Sequence, residues 1–146
     1  MAVTKLSKST KNRLRSANPD AVRLTARRLF NSVMANQLWL NKSNRYGREL
    51  IDKLGKDYKK RRIGSPALSK YISASGPLHV IDGWAYLGRA VDSLLRAEPS
   101  ACIHLAYYAE LRAATALLAV GGIGLFGHIH AVVDRPNSVI AFSGAG

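Results

Sequence analysis

The segment from Pro99 to Val120 most constrains the fold, because a helix built from it is apolar around nearly its whole circumference. Glu98 and Pro99 are suitable residues for its start, and Gly121-Gly122 supply a helix stop. A helix that is apolar on all sides is buried against several neighbours, at the centre of a bundle or at an interface between chains. The sequence therefore predicts a helical core around this segment.

Helical periodicity also marks the chain before this segment. Asn18-Pro19-Asp20 is a favourable helix start, and apolar residues then recur at helical spacing to about Leu40. Further helices are predicted around 46–54, over 67–72 and over 81–96, with a loop over 73–77. Two short apolar runs flank the turn residues Asp134–Asn137 and predict a β-hairpin. The expected fold is mainly α, a helical bundle of four to five helices with a short C-terminal β-hairpin.

All of the net charge lies in the first 63 residues, which hold 17 Lys and Arg against 4 Asp and Glu. Residues 64–146 hold five of each sign. We expect a flexible basic arm over 1–17 and one helical domain over 18–146, with basic helices to residue 63 and a neutral core after it. The last residues provide no closing element, which favours a chain that continues in a longer protein.

Several classes of protein are disfavoured. Cys102 is the single cysteine of 146 residues, so neither an internal disulfide nor a Cys-based zinc site is expected. His128 and His130 share a strand face without an acidic neighbour, and Gly121–Gly124 lacks the Lys-Ser/Thr of a phosphate-binding loop. We therefore expect no metal and no cofactor. The chain also lacks the apolar stretch of a signal peptide or membrane span, which predicts a cytoplasmic protein without a membrane partner.

The cations of the basic part predict a polyanion partner. Lys56–Arg62 places five cations in seven residues, and three arginines follow the Asn18 helix start. Such clusters bind phosphate backbones with little sequence preference and lose affinity steeply with salt. The alternative is a solvated loop that only aids solubility. The predicted nucleic-acid-binding residues are Arg23, Arg27, Arg28, Lys56, Lys59, Lys60, Arg61 and Arg62; RNA, DNA and an acidic protein surface remain open as partners.

A polar stripe interrupts the apolar helix. His104, Tyr108 and Arg112 fall at i, i+4 and i+8 and therefore share one face. One interpretation is structural: the stripe forms hydrogen bonds with a partner helix or simply faces solvent. The other is an active site, in which imidazole, phenol and guanidinium act on a phosphodiester. Glu110 lies on another face, so Arg112 needs a partner from another helix or chain. His79, expected in a loop, carries no functional prediction.

Residues 84–130 resemble the paired helices of HEPN domains. The resemblance rests on a helix, a short break, and a second helix carrying Ala106–Ala109 and Ala116–Leu118, followed by Gly122-Ile123 and a His. It implies an all-α bundle that dimerises, and in many members a ribonuclease of toxin–antitoxin or antiviral systems. That activity uses an Arg followed four to six residues later by a His. Here Arg112 has no His after it before His128.

Three functions follow from these patterns. The first is a nucleic-acid-associated HEPN-like module of a bacterial defence or toxin-type system, which binds phosphate backbone through its basic half. The second is a non-catalytic structural subunit that pairs through 99–120 with a second protein chain. The third is a ribonuclease whose catalytic residues Arg112, His104 and Tyr108 are completed across a homodimer.

Overall fold

The computed structural model describes residues 6–36 and 44–143, and the side chains of all of these except 32–36. The elements in this part of the chain are α1 (Lys8–Arg15), α2 (Pro19–Asn36), α3 (Leu50–Lys59), α4 (Ser65–Leu95), α5 (Pro99–Val120), β1 (Ile123–Phe126), β2 (Ile129–Arg135) and β3 (Ser138–Ser143). The expectation of a mainly α fold with a C-terminal hairpin is confirmed. The expected helix end near Leu40 lies outside the described residues.

The hairpin is part of a three-stranded antiparallel sheet of order β1-β2-β3. Asn137, with φ 63°, turns the chain after Pro136 into β3, as the sequence suggests. The third strand, β1, was not predicted from the sequence; it pairs with β2 across the turn Gly127-His128. Gly124 makes this strand hard to predict from the sequence. A Cβ at this position would lie 2.6 Å from the Phe126 ring, so a larger residue would force that ring to shift.

The buried core lies where helices cover one face of the sheet. Ile129, Ala131 and Val133 alternate along β2 and are all at most 2% exposed. They pack with buried residues of α2, α3, α4 and the segment before α3: Ala21, Val22, Leu54, Leu68, Ile72 and Tyr46. The core therefore takes residues from both sides of position 63 and is not confined to the neutral part.

Asn18 fixes the start of α2 as the sequence predicts. Its side-chain oxygen accepts a hydrogen bond from the Ala21 backbone N–H at 3.1 Å, which satisfies a free donor of the first turn. Its own backbone N–H donates to the Val133 carbonyl at 2.9 Å. The same residue thus caps the helix and ties it to β2.

Residues 65–95 form one continuous helix, so the prediction of a loop over 73–77 is wrong. Pro77 removes one backbone hydrogen bond from α4, and its ring is exposed. Gly76 is buried, and a Cβ there would lie 3.2 Å from a Val120 methyl group. Close packing against α5 stabilises the helix through residues that disfavour helix in isolation.

Two other expectations change. Residues 8–15, expected in a flexible arm, form α1, whose first turn is capped by the Ser7 hydroxyl. Helix α5 has the predicted bounds, but in the single chain its buried residues are only Ala116 and Ala119. α5 pairs along α4 across the three-residue turn Arg96–Glu98, and much of its remaining apolar surface is exposed.

Candidate nucleic-acid interface and polar seam

The basic cluster is built on the end of α3. The Arg62 N–H donates to the Asp57 carbonyl at 2.9 Å, and the Arg61 N–H donates to the Tyr58 carbonyl at 3.1 Å. This pair of bonds is a Schellman motif, and it places Arg61 in the left-handed region at φ 53°. Helices usually have glycine at this position, because glycine has no Cβ. Arg61 therefore adds a positive charge here at some cost in backbone conformational energy.

A buried carboxylate anchors this helix end. Asp57 accepts a hydrogen bond at 2.9 Å from the Tyr46 hydroxyl, which itself accepts one from the Gly64 N–H at 3.0 Å. Arg45 pairs with the other carboxylate oxygen. Burial acts to raise the pKa of Asp57, but the hydrogen bonds from Arg45 and Tyr46 and the positive charges nearby outweigh it, so the pKa lies below its ordinary value. Asp57 is therefore ionised at neutral pH.

Helices α1 and α3 meet the same end of β3. The Ser143 N–H donates to the Tyr58 hydroxyl at 3.1 Å, and the Arg13 guanidinium lies 5.4 Å from the centre of the Phe142 ring. Arg13 of α1 and Tyr58 of α3 therefore contact neighbouring residues of β3. The predicted binding set omits α1, whose exposed cations are Lys8, Lys11, Arg13 and Arg15.

All eight predicted binding cations are exposed. Within residues 6–36 and 44–143, Arg23 is the one member of this set with a carboxylate oxygen within 4.0 Å, that of Asp20 at 3.4 Å. The eight do not form a single row. Arg23 and Arg27 line a separate cleft of about 300 Å³ between α2 and α4, beside Phe30 and Pro77. The α3 cluster remains the densest group of unpaired positive charge.

The polar stripe of α5 divides into two groups. His104 and Tyr108 are in edge-to-face contact with ring centres 5.4 Å apart, and Tyr86 of α4 stacks on Tyr108 at 5.4 Å. Arg112 makes its contacts elsewhere. The predicted trio is therefore not one constellation, although its members share a helix face.

Arg112 pairs with α4, as the sequence required of it. Its guanidinium donates to Nδ1 of His79 at 3.2 Å, and its Nε lies 3.8 Å from an Asp82 carboxylate oxygen. Burial and the neighbouring Arg112 charge lower the pKa of His79, against the opposite effect of Asp82. The imidazole is accordingly neutral near pH 7, with Nδ1 as an acceptor.

The interpretation of His79 as a loop residue was wrong. It lies in α4, three residues before Asp82 and seven before Tyr86. At this i, i+3, i+7 spacing the three side chains share one face of α4, just as the polar stripe shares one face of α5, and this pattern could have predicted the contact. The contact of His79 with Arg112 was not predicted because a loop was expected at 73–77. The helical periodicity of 81–96 was therefore not extended towards the N-terminus through Pro77.

Other candidate chemistry finds no support in the geometry. Among the described residues, no group of three or more His, Cys, Asp or Glu side chains is placed to hold a metal ion. The His130 ring packs against Phe142 with centres 5.8 Å apart. None of the helices that the structure describes is long and apolar enough to cross a membrane.

Comparison with known proteins found no matching family model, no significant match among curated proteins and none among solved structures.

Proposed function

We propose that the protein binds the phosphate backbone of RNA or DNA through the end of α3, assisted by α1. The exposed cations at 56–62, which lack carboxylate partners within 4.0 Å among the described residues, carry this proposal. Cations without internal partners keep their full attraction for phosphates, and each contact releases condensed counterions. The Asp57 anchor and the Schellman turn hold the cations on a fixed scaffold, which lowers the entropy lost on binding.

The geometry favours backbone contact over base stacking. Tyr58 is the aromatic residue inside the basic cluster, and its hydroxyl is engaged with the Ser143 N–H. It is half-buried and packs against the hydrophobic core. An aromatic ring held in this way offers no free face to an unstacked base, so affinity would come from charge with little sequence preference.

The HEPN resemblance supplies the proposed setting. Helices α4 and α5 pack along each other across a short turn, which is the helix–break–helix arrangement that the resemblance implies. On this basis we place the protein in the cytoplasm as a nucleic-acid-associated module of a bacterial defence or toxin-type system.

Salt dependence and charge removal test the binding proposal. With about four phosphate contacts, affinity should fall about 100-fold between about 50 and 200 mM salt. The triple variant K59Q/K60Q/R62Q should bind more weakly and with a shallower salt slope, measured by fluorescence anisotropy on labelled RNA and duplex DNA. The matched control K70Q/R89Q/R96Q removes three exposed cations from α4 and its C-cap and should bind like the wild type. Salt-insensitive binding, or equal loss in both triple variants, contradicts the proposal.

The contact between Arg112 and His79 favours ribonuclease activity as a second candidate. In the cleavage step the Arg112 guanidinium would turn from Nδ1 of His79 to the scissile phosphate and stabilise the negative charge that develops there. Nδ1 would then accept the proton of the 2′-hydroxyl, whose oxygen bonds to phosphorus as the 5′-oxygen leaves and takes a proton from water. In this arrangement His79 takes the role that the sequence gave to His104.

Cleavage assays test the second candidate. Wild-type protein should cut single-stranded RNA, and Arg112→Ala and His79→Ala should each abolish cleavage while the far-UV circular dichroism stays unchanged. Arg89→Ala, which removes an exposed arginine of α4, should cut normally. Absence of cleavage by the wild type across pH 6 to 8, roughly the range in which a histidine base acts, ends this candidate.

A further inference from the structure

We propose that the cleft between α2 and α4 binds a small carboxylate that carries an apolar chain or ring. The cleft has a volume of about 300 Å³. A cavity of about half this volume accepts a benzene molecule, so the cleft has room for a ligand of about ten non-hydrogen atoms. It shares no residue with the basic cluster of α3 or with the contact between His79 and Arg112.

The walls of the cleft are mainly apolar. Helix α2 supplies Ala26, Leu29 and Phe30, and α4 supplies Ala74 and Pro77. The Phe30 side chain is 51% exposed, whereas phenylalanine is usually a buried residue. A ligand with an apolar chain or ring would cover this side chain and remove it from water, which favours binding.

Two arginines beside these apolar walls determine which ligand charge is favoured. Arg23 and Arg27 are one helical turn apart on α2, and both line the cleft. Among the described residues, Arg27 has no carboxylate oxygen within 4.0 Å, and Arg23 has that of the exposed Asp20 at 3.4 Å. An exposed ion pair of this kind is weak, so a ligand can replace Asp20. Because guanidinium groups bind carboxylates through paired hydrogen bonds, an anion is favoured over a neutral molecule or a cation.

A buried hydroxyl on the α4 wall has no hydrogen-bond partner. Ser73 is 3% exposed, and its Oγ makes no hydrogen bond with any described residue. Buried polar groups are normally paired, and an unpaired one costs free energy. Since Ser73 lines the cleft, rotation about its χ1 angle would allow it to donate a hydrogen bond to a ligand carboxylate. An apolar cleft with a few polar donors is the usual form of a small-molecule site.

A nucleic-acid strand is the other anion that this basic part of the chain attracts, and it fits the cleft less well. The edges of its bases carry several hydrogen-bond donors and acceptors, which need partners when they are buried. Apart from the two arginines, Ser73 is the one polar side chain among the described residues that line the cleft. The lining therefore favours an aliphatic or aromatic carboxylate.

Four small molecules test the two parts of the proposed ligand. Octanoate, with about ten non-hydrogen atoms, should bind wild-type protein freed of nucleic acid with a dissociation constant of about 10 μM to 1 mM in isothermal titration calorimetry. Acetate lacks the chain, octanol lacks the charge and octylammonium reverses it, so each should bind at least about tenfold more weakly. Changes in backbone amide chemical shifts on adding octanoate should be largest at residues 23–30 and 73–77.

Matched substitutions on α2 test the position of the site. Arg27→Gln removes a charge and Phe30→Ala removes part of an apolar wall, so each should weaken octanoate binding at least about fivefold. The controls are Arg28→Gln and Leu24→Ala, which alter exposed residues of α2 that do not line the cleft. Both controls should bind octanoate within about twofold of the wild type, because neither changes a group that contacts the ligand.

Further controls separate this test from that of nucleic-acid binding. K59Q/K60Q/R62Q should bind octanoate like the wild type, whatever its effect on RNA or DNA. Phe30→Leu repeats the test with a smaller change should Phe30→Ala lose its helical circular dichroism signal. Four results would each overturn the proposal: no binding at about 5 mM octanoate, equal binding of octanol or octylammonium, amide shifts confined to other parts of the chain, and equal loss in Arg27→Gln and Arg28→Gln.

Discussion

At the scale of single residues, Asp57 links the stability of the fold to the basic surface. Its side chain is 6% exposed, whereas that of its partner Arg45 is 56% exposed. The carboxylate receives hydrogen bonds from Arg45 and Tyr46 and thereby joins the segment before α3 to the end of that helix. In this ion pair only the carboxylate is buried, whereas the guanidinium remains in contact with water. The pair therefore stabilises the fold without the full cost of desolvating both ions.

This anchor predicts a loss of stability in acid. Because the pKa of Asp57 is lower in the folded chain than in the unfolded one, its contribution is present above about pH 4 and is lost as the pH falls through the folded pKa. Asp57→Asn should reduce the free energy of unfolding by about 1–3 kcal/mol at pH 7 and leave a smaller difference from wild type at pH 3. Urea titrations at several pH values measure both quantities.

Asp52 provides the control for this prediction. It lies one turn earlier on α3 and is exposed. Asp52→Asn should change the free energy of unfolding by no more than about 0.5 kcal/mol. A constant gap between wild type and Asp57→Asn from pH 7 to pH 3 would show that the carboxylate charge is not what stabilises the anchor.

The sequence does not reveal this anchor. Residues 45–57 contain charges of both signs, and nothing in their spacing distinguishes Asp57 from the exposed Asp52. Tyr46 was assigned to a helix, whereas it precedes α3 and is fully buried. Three-dimensional packing chooses which carboxylate becomes the partner, and that choice depends on contacts with Leu68 and the sheet that local patterns do not encode.

At the scale of elements, the turn between α4 and α5 contains a residue with a strained backbone, Ala97. The Glu98 N–H donates to the Ser93 carbonyl and the Ala97 N–H to the Leu94 carbonyl, which is a Schellman motif with Ala97 at φ 59°. A left-handed alanine costs about 1–2 kcal/mol relative to the helical region. Glycine would adopt this conformation without a Cβ clash.

Ala97→Gly should therefore stabilise the protein by about 0.5–1 kcal/mol, after the larger entropy of glycine in the unfolded chain is subtracted. Ala114→Gly, at an exposed position inside α5, should destabilise it by about 1 kcal/mol. Denaturant midpoints at one fixed protein concentration compare the two variants, because association would make stability depend on concentration. If both variants changed the free energy of unfolding in the same direction, this account of the turn would be contradicted.

Sequence patterns located elements best where capping and periodicity agree. The start of α2, both ends of α5 and the hairpin of β2 and β3 were predicted from caps, glycines and alternation. The loop over 73–77 was wrong because Ser73, Gly76 and Pro77 disfavour helix locally, whereas the packing of Gly76 against α5 favours it. β1 was missed because its four residues include a glycine and are too few for alternation to be recognised.

At the scale of the whole molecule, the division of charge in the sequence is not a division of the fold. Val22, Tyr46 and Leu54 of the basic part are buried with Leu68, Ile72 and β2 of the neutral part. The two parts of the chain differ instead in their surfaces. Among the described residues, the exposed cations are concentrated on α1, α2 and α3 and in the segments beside α3, whereas the exposed apolar residues are concentrated on α4 and α5. Both surfaces could be predicted from the sequence, but the shared interior could not.

The unbroken α4 has a mechanical consequence. Its 31 residues span about 45 Å, from Leu68 and Ile72 in the core to Leu95 beside the turn. No loop interrupts this rod, and Pro77 removes a single hydrogen bond from it. Any molecule held near the Leu95 end of α4 is therefore kept at a fixed distance and orientation from the cations of α3. The number of helical turns in α4 sets that distance.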